Sequence, residues 1–217
     1  VYAAFSKELP ADAGAIKAWL PRNRRAEIKK AQRIKEDPAF GFTSDGDIDL
    51  FYDVYAGAVK RLGTPVMPRR FLHALKDRFS ADAEASLVLN EGKPVAGLFS
   101  FWRGDRVMPY FIGGTAAARD IRAYDYLYYM LMKRAVERGV RIFDFGRSKV
   151  GSPHFNTKKY WGFDPQPLTY HVALVNAEET PNVNPNNPKF AAFVGLWKHL
   201  PTPVANVVGP MLARNFA

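Results

Sequence analysis

The chain contains no cysteine, which excludes disulfides, thiolate nucleophiles and cysteine-bound metals. Its histidines, His73, His154, His171 and His199, fall in no HxxxH or HExxH spacing, so no zinc-enzyme motif is present. No apolar run reaches the roughly 18 residues of a membrane span, and no signal-peptide pattern opens the chain. There is no P-loop and no nucleophile elbow. The string Asp144-Phe145-Gly146 is not accompanied by the HRD and APE motifs that would make it a kinase signature. No internal repeat is visible. The start on Val1, in the strand-like VYAAF, suits a piece of a longer protein.

What is present is the material of a folded, basic domain. Apolar residues make up 47% and aromatics 14% of 217 residues, enough to bury a sizeable core. Charged residues are 24%, in the globular range. The net charge of +10 favours anionic partners such as nucleic acid, nucleotide phosphates, acidic lipids or anionic glycans. The excess is concentrated in residues 21–35, PRNRRAEIKKAQRIK, where Glu27 is the only acid. That segment is either a solvated helix face or an anion-binding ridge.

Periodicity and punctuation order the elements. VYAAFSKEL reads as a strand leading to a helix over 11–20, and Pro21 opens a second helix over 22–35 that ends at Asp37-Pro38. GFTSDGD reads as a turn cluster. Helices are expected over 49–62, ended by Gly63, and over 69–79, joined by the proline-rich link 64–68. Residues 85–114 alternate, with turns at Asn90-Glu91-Gly92-Lys93 and Gly104-Asp105, and predict a three-strand antiparallel meander. A long helix over 121–138 follows, then a strand RIFDFGRS, a short helix in HFNTKKYWG and a last strand PLTYHVALVN. The remainder is a Pro/Asn-rich linker, a helix over 189–200 and an apolar end broken by Pro and Gly. The fold class is α+β (mixed α/β), one mostly antiparallel sheet flanked by helices. Residues 1–180 form the domain, and 181–217 a linker with an apolar helical tail.

The order of elements resembles the GNAT acyltransferase fold, and three segments make the resemblance specific. FYDVYAGAVKRLGTPVMPRRFLHAL, with its link at 61–65, is similar to the helical insert of FemAB-type transferases. FDFGRSKVG at 143–151 followed by KKYWGF at 158–163 resembles their strand–loop–helix, in which an FK pair precedes an aromatic-Gly step. RRAEIKKA at 24–31 is similar to their Arg/Lys helix. The nearest group is the FemAB-like proteins of bacterial exosortase/PEP-CTERM exopolysaccharide systems, a likeness that extends to PNVNPNNPKF and LWKHLPTPVANVVGP.

The resemblance implies N-acyl transfer, in which an amine attacks an activated acyl group. The donor is an acyl-CoA-like thioester or an aminoacyl-tRNA ester, with no tightly bound cofactor. The acceptor is an amino sugar or peptide, free or lipid-linked. It also implies that this chain is the second half of a two-GNAT protein, partnered by an N-terminal half. A cytoplasmic place at the inner face of the membrane follows, with peripheral contact through the apolar tail. Two departures stand out. The loop GSPHFNT puts Thr157, not Phe, before Lys158. The expected RxxGxG-like turn for a CoA pyrophosphate is replaced by GGTAAARDIRAYD, which offers Gly113, Gly114, Arg119 and Arg122 as cofactor-binding candidates.

Acyl transfer to an amine requires a base, an oxyanion stabiliser and charge balance at the leaving group. The resemblance places the family's FK lysine at Lys158, with Lys159 as its rival. Asp144 alternates with Phe143 and Phe145 and is a candidate base, or else forms an ion pair with Arg147 or a nearby helix. Asp125 is a weaker candidate at the start of the long helix. Arg147 and Ser148 end the strand where a ligand would sit, Arg147 as a bidentate clamp or a structural ion-pair partner. Tyr160 and Trp161 suit stacking on a sugar, base or acyl chain, although burial suits Trp161 equally. His154 lies in the loop beside them. A different class of function, a non-catalytic module for anionic glycans, also fits the missing turn.

Overall fold

The computed structural model describes residues 1–171, 173–175 and 191–213. Among them a seven-stranded sheet runs in the order β2-β3-β4-β5-β6-β1-β7. Strand β1 (Tyr2–Glu8) is followed by short α1 (Ile16–Trp19), α2 (Arg22–Ala31) and α3 (Arg33–Glu36). Strand β2 (Phe40–Thr43) precedes α4 (Ile48–Leu62) and α5 (Arg69–Phe79). The meander β3 (Ala83–Asn90), β4 (Lys93–Arg103) and β5 (Arg106–Gly114) leads to α6 (Ala123–Glu137), β6 (Ile142–Lys149), α7 (Pro153–Tyr160) and β7 (Gln166–Leu168). Helices α8 (Ala191–His199) and α9 (Thr202–Ala213) close the described chain.

Local chemistry explains most boundaries. The Asp47 carboxylate accepts the backbone N–H groups of Asp49 and Leu50 and so caps α4, while Gly63 ends that helix in the left-handed region at φ 85°. The turns at Glu91-Gly92 and Gly104 use positive φ, as two-residue hairpins require.

The sheet separates two apolar layers. On one face α1, α2, α3, α6 and α7 pack over Phe5, Leu98, Trp102, Phe143 and Phe145. On the other, α4 and α5 cover Leu87, Phe99 and Phe111. Gly113 lets α4 lie directly on β5: a Cβ there would sit 2.5 Å from the Tyr55 Cα. A buried carboxylate braces the meander: Glu84, 6% exposed, accepts bidentate bonds from Arg134 and a third from Arg138.

Three expectations are corrected. GFT, expected to turn, is strand β2, because Phe40 to Thr43 find partners in Asn90 to Leu87. The last strand is limited to Gln166–Leu168, paired with β1, and Val172 and Asn176 of the expected run lie outside the described residues. The Pro/Gly-broken end is helix α9 despite Pro210 within it. The apolar tail docks on its own domain: Trp197 is buried and donates from Nε1 to the Thr64 carbonyl, and Gly209 lies against Val66. The Pro/Asn-rich linker lies outside the described residues.

Candidate functional site

The candidate site is set by how β5 and β6 part. They run parallel and pair only at Arg106↔Ile142 and Val107↔Phe143. Beyond Val107 and Phe143 the ladder stops, so backbone groups along the facing edges are left for a ligand or solvent.

Strand β6 carries a bulge at this opening. Between the pairs Ala4↔Arg147 and Ser6↔Asp144, β6 has one residue more than β1. The bulge is made by Gly146 at φ 65°, a conformation that strains any residue with a Cβ. The Asp144 Oδ1 atom fixes it by accepting the Gly146 N–H at 2.8 Å. The extra residue resets the alternation: Phe143 and Phe145 are buried two apart, and the next buried residue, Ser148, is three further on. Arg147 therefore turns outward with Asp144, which an unbroken strand would forbid.

Lys158 closes the group from α7. That helix begins where the Ser152 hydroxyl accepts the Phe155 N–H with Pro153 at its first position. Lys158 donates to the carbonyls of Gly146 at 3.2 Å and Arg147 at 3.0 Å and lies over the Phe5 ring. Burial pushes its ammonium down from the ordinary lysine value to about 8, against an upward pull from the Asp144 carboxylate. A half-buried cation is thus held on the bulge carbonyls beside the open strand edge.

The sequence candidates separate into three groups. Asp144, Arg147 and Lys158 come together around the bulge. The partner of Asp144 is neither Arg147 nor a helix but Arg106, whose Nη1 lies 2.8 Å from Oδ2. Arg147 instead donates to the Tyr170 hydroxyl at 2.8 Å and sits over the rings of Tyr2 and Tyr170. Tyr160, Lys159 and His154 are exposed on or beside the outer surface of α7. Trp161 is corrected to a core residue: it is 1% exposed and packs on Tyr128 and Phe145, so no ring face is free for a substrate. Ser148 is 7% exposed and lies behind the surface.

The expected cofactor turn is largely occupied by the protein itself. Gly113 is the contact with α4 described above, and the Gly114 carbonyl accepts from Arg61. Arg122, left-handed at φ 59°, pairs with Glu27 at 2.8 Å. Arg24 pairs with Asp125, whose carboxyl burial pushes up despite that partner. Arg33 donates to the Asp120 carbonyl. The basic helix α2 is therefore partly spent on tying down the start of α6, and Asp125 is a structural partner of Arg24. Arg119 is exposed. Arg22, Arg25, Lys29 and Lys35 also remain on the surface.

Sequence reasoning missed Arg106, Tyr2 and Tyr170. Arg106 opens β5 next to a turn and has no local signal. Only the parallel register beside Ile142 brings it to Asp144.

A family model for the acetyltransferase (GNAT) domain matches residues 22–156. No functionally curated protein sequence matches the chain. Among solved structures, FemX superposes with a TM-score of 0.64 at 15% identity, covering 75% of this chain and 59% of that one. The C-terminal domain of a putative lysylphosphatidylglycerol synthetase from Agrobacterium fabrum gives 0.53 at 15% identity, over 75% and 58%. A conserved protein of unknown function from Bacteroides thetaiotaomicron gives 0.54 at 16% identity, over 77% and 56%. The chain thus spans less than two thirds of the length of each. At such identities these matches show a shared fold and nothing further.

Proposed function

This chain belongs to the acetyltransferase (GNAT) domain family, and from that membership we propose that it transfers an acyl or aminoacyl group from an activated donor to an amine acceptor at the β5–β6 opening. The observation that carries the reading is Lys158, a half-buried cation with a lowered pKa beside a parted strand edge. An acyl carbonyl lying in the opening would meet free backbone N–H groups and this ammonium. Both favour the tetrahedral oxyanion over the planar ground state. Arg106 holds one Asp144 oxygen while the other accepts the Gly146 N–H, and the carboxylate favours the charged form of Lys158. Arg147, braced by two tyrosines, is placed to bind a phosphate or carboxylate on one substrate.

The finer reading is an amino-sugar or peptide acceptor in bacterial exopolysaccharide or cell-envelope assembly. Its support is the sequence likeness to exosortase/PEP-CTERM-associated FemAB proteins. The test uses acyl-CoA and aminoacyl-tRNA donors against glucosamine-containing and peptide amines. Lys158→Met lowers transfer about 100-fold or more with an unchanged thermal midpoint; transfer within a few-fold of wild type removes the lysine from the mechanism.

An aminoacyl-tRNA donor is favoured by one feature, the surface cations Arg22, Arg25, Lys29 and Lys35 on α2 and α3. Retention of tRNA then weakens steeply with salt; no retention at low ionic strength leaves the thioester donor. Peripheral membrane contact rests on Leu196, Val204, Val207 and Met211, all exposed on α8 and α9, where no acidic residue occurs over 191–213. Co-sedimentation with anionic liposomes, lost when residues 188–217 are removed, tests it. Among the described residues no helix is long and apolar enough to cross a membrane.

A further inference from the structure

The face of β5 that carries Arg106 borders a cavity of about 990 Å³ between α4, α5 and the β4–β5 ribbon. One wall is a stripe of α5, Phe71, Leu75 and Phe79, at the four-residue spacing that lines up one side of a helix. The facing wall is the ribbon's Phe101, Met108 and Tyr110. These side chains are not packed away: Phe79 is 45% and Tyr110 59% exposed. The rings of Phe79 and Phe101, and of Phe101 and Tyr110, meet edge to face at 5.1 and 5.5 Å. The ribbon therefore presents a mixed wall of rings and thioether, not a flat stacking platform.

The charged groups of the lining lie at one end. Arg103 and Arg106 line the cavity there against a single carboxylate, Asp82, and Arg106 reaches Asp144 at the bulge. Composition and charge give the space a direction, from an apolar channel to an arginine-bearing end beside the candidate site. A cavity near 1,000 Å³ lies at the top of the range for small-ligand sites. An acetyl group would leave it nearly empty, and a sugar would set most of its hydroxyls against the rings and aliphatic side chains that dominate the lining. An unbranched hydrocarbon chain fits both the volume and the lining.

We propose that this cavity binds the hydrocarbon chain of a long-chain acyl compound, with its carbonyl or anionic head at Arg106 beside Asp144. The proposal rests on the transfer reading only for the role of the chain; its binding stands or falls by itself. The chain arrives either on the donor, as a long-chain acyl thioester, or on a lipid-borne acceptor. Both present the same chemistry to the groove: methylenes for the walls and a polar head for the arginine.

Binding is measured without turnover, by displacement of a dansyl-labelled undecanoic acid followed by fluorescence. Octanoate, dodecanoate and hexadecanoate compete in turn, with hexadecanoyl-CoA and hexadecanoyl-lysophosphatidylglycerol in parallel arms. Affinity rises at least about tenfold from octanoate to dodecanoate, since each methylene buried adds to transfer from water. Met108→Trp, which fills the channel at a half-buried position, weakens hexadecanoate at least about tenfold while the thermal midpoint holds. Arg106→Gln reduces the preference for hexadecanoate over hexadecanol. A tighter CoA ester assigns the chain to the donor, and a tighter lysolipid to the acceptor; either supports the groove. No displacement by any chain, or equal affinity in wild type and Met108→Trp, overturns the proposal. Loss of transfer in Lys158→Met alongside absent chain binding would leave the function standing and the groove empty, so the two readings fail separately.

Discussion

Two neighbouring seams of one sheet are built to opposite ends. Between β4 and β5 the ladder runs from Ala96↔Gly114 to Arg103↔Arg106, interrupted by a single irregularity at Phe99 and Ser100. Between β5 and β6 it stops after Val107↔Phe143. The first seam is clamped by apolar layers on both faces and by the Glu84 ion pairs on the adjoining strand. The second is open, flanked by a glycine bulge and a desolvated lysine. Strand β5 belongs to both, so the rigidity of one side fixes the position of the open edge on the other. Setting the strained, polar part of a site beside a well-packed strand is how a pre-organised centre is kept without collapsing.

If this division holds, damage to the closed seam costs stability and damage to the open one costs chemistry. Glu84→Ala, which leaves Arg134 and Arg138 without their shared carboxylate, lowers stability by about 3 kcal/mol, read as a drop in the thermal or urea midpoint. Residual transfer per folded molecule stays near wild type. Gly113→Val pushes a side chain into the Tyr55 backbone, which cannot yield as a flexible side chain would. A loss of about 2 kcal/mol is expected, again read by denaturation. A stable Gly113→Val protein would show that α4 is free to shift.

Gly146→Ala works in the opposite sense. Nothing lies within 4 Å of the added Cβ, so the cost is only the left-handed φ, about 1 kcal/mol. Yet the carbonyls that hold Lys158 belong to Gly146 and Arg147, so transfer falls by more than the stability change explains. Equal small losses in both measurements would reduce the bulge to a structural kink.

The smallest effect is a pH limb. Lys158 is protonated below its folded value of about 8 and neutral above it. If the ammonium stabilises the oxyanion, kcat declines as pH rises through about 8. Lys158→Arg, which keeps its charge at any accessible pH, removes that decline even if its rate is lower. A rate that climbs through the same range would instead make Lys158 the base.

The sequence was most legible where the signal is local. Asp47 and Gly63 mark α4, the 69–79 periodicity marks α5, and the two glycine turns mark the meander. It was least legible where partners are distant. GFT resembles a turn until Asn90 to Leu87 pair with it. Trp161 looks as suited to a ligand as to a core until Tyr128 and Phe145 surround it. Gly209 and Pro210 argue against a helix, but Gly209 fits where α9 meets the Val66 backbone and Trp197. At the site, Asp144, Arg147 and Lys158 were legible as types, and Arg106 was not.

By itself the sequence determined the class of the molecule: a cysteine-free, basic α+β domain with a three-strand meander, a long helix and a lysine-bearing turn after the FDFG strand. Those follow from composition, period and capping, which act within a few residues. The tertiary structure alone decided that β5 and β6 part after their first pairs, and that Gly146 turns Arg147 to the side of Asp144. It also decided which arginine holds that carboxylate. Register across a parallel crossover and the reset of alternation at a bulge depend on residues far apart in the chain, so no local pattern can encode them.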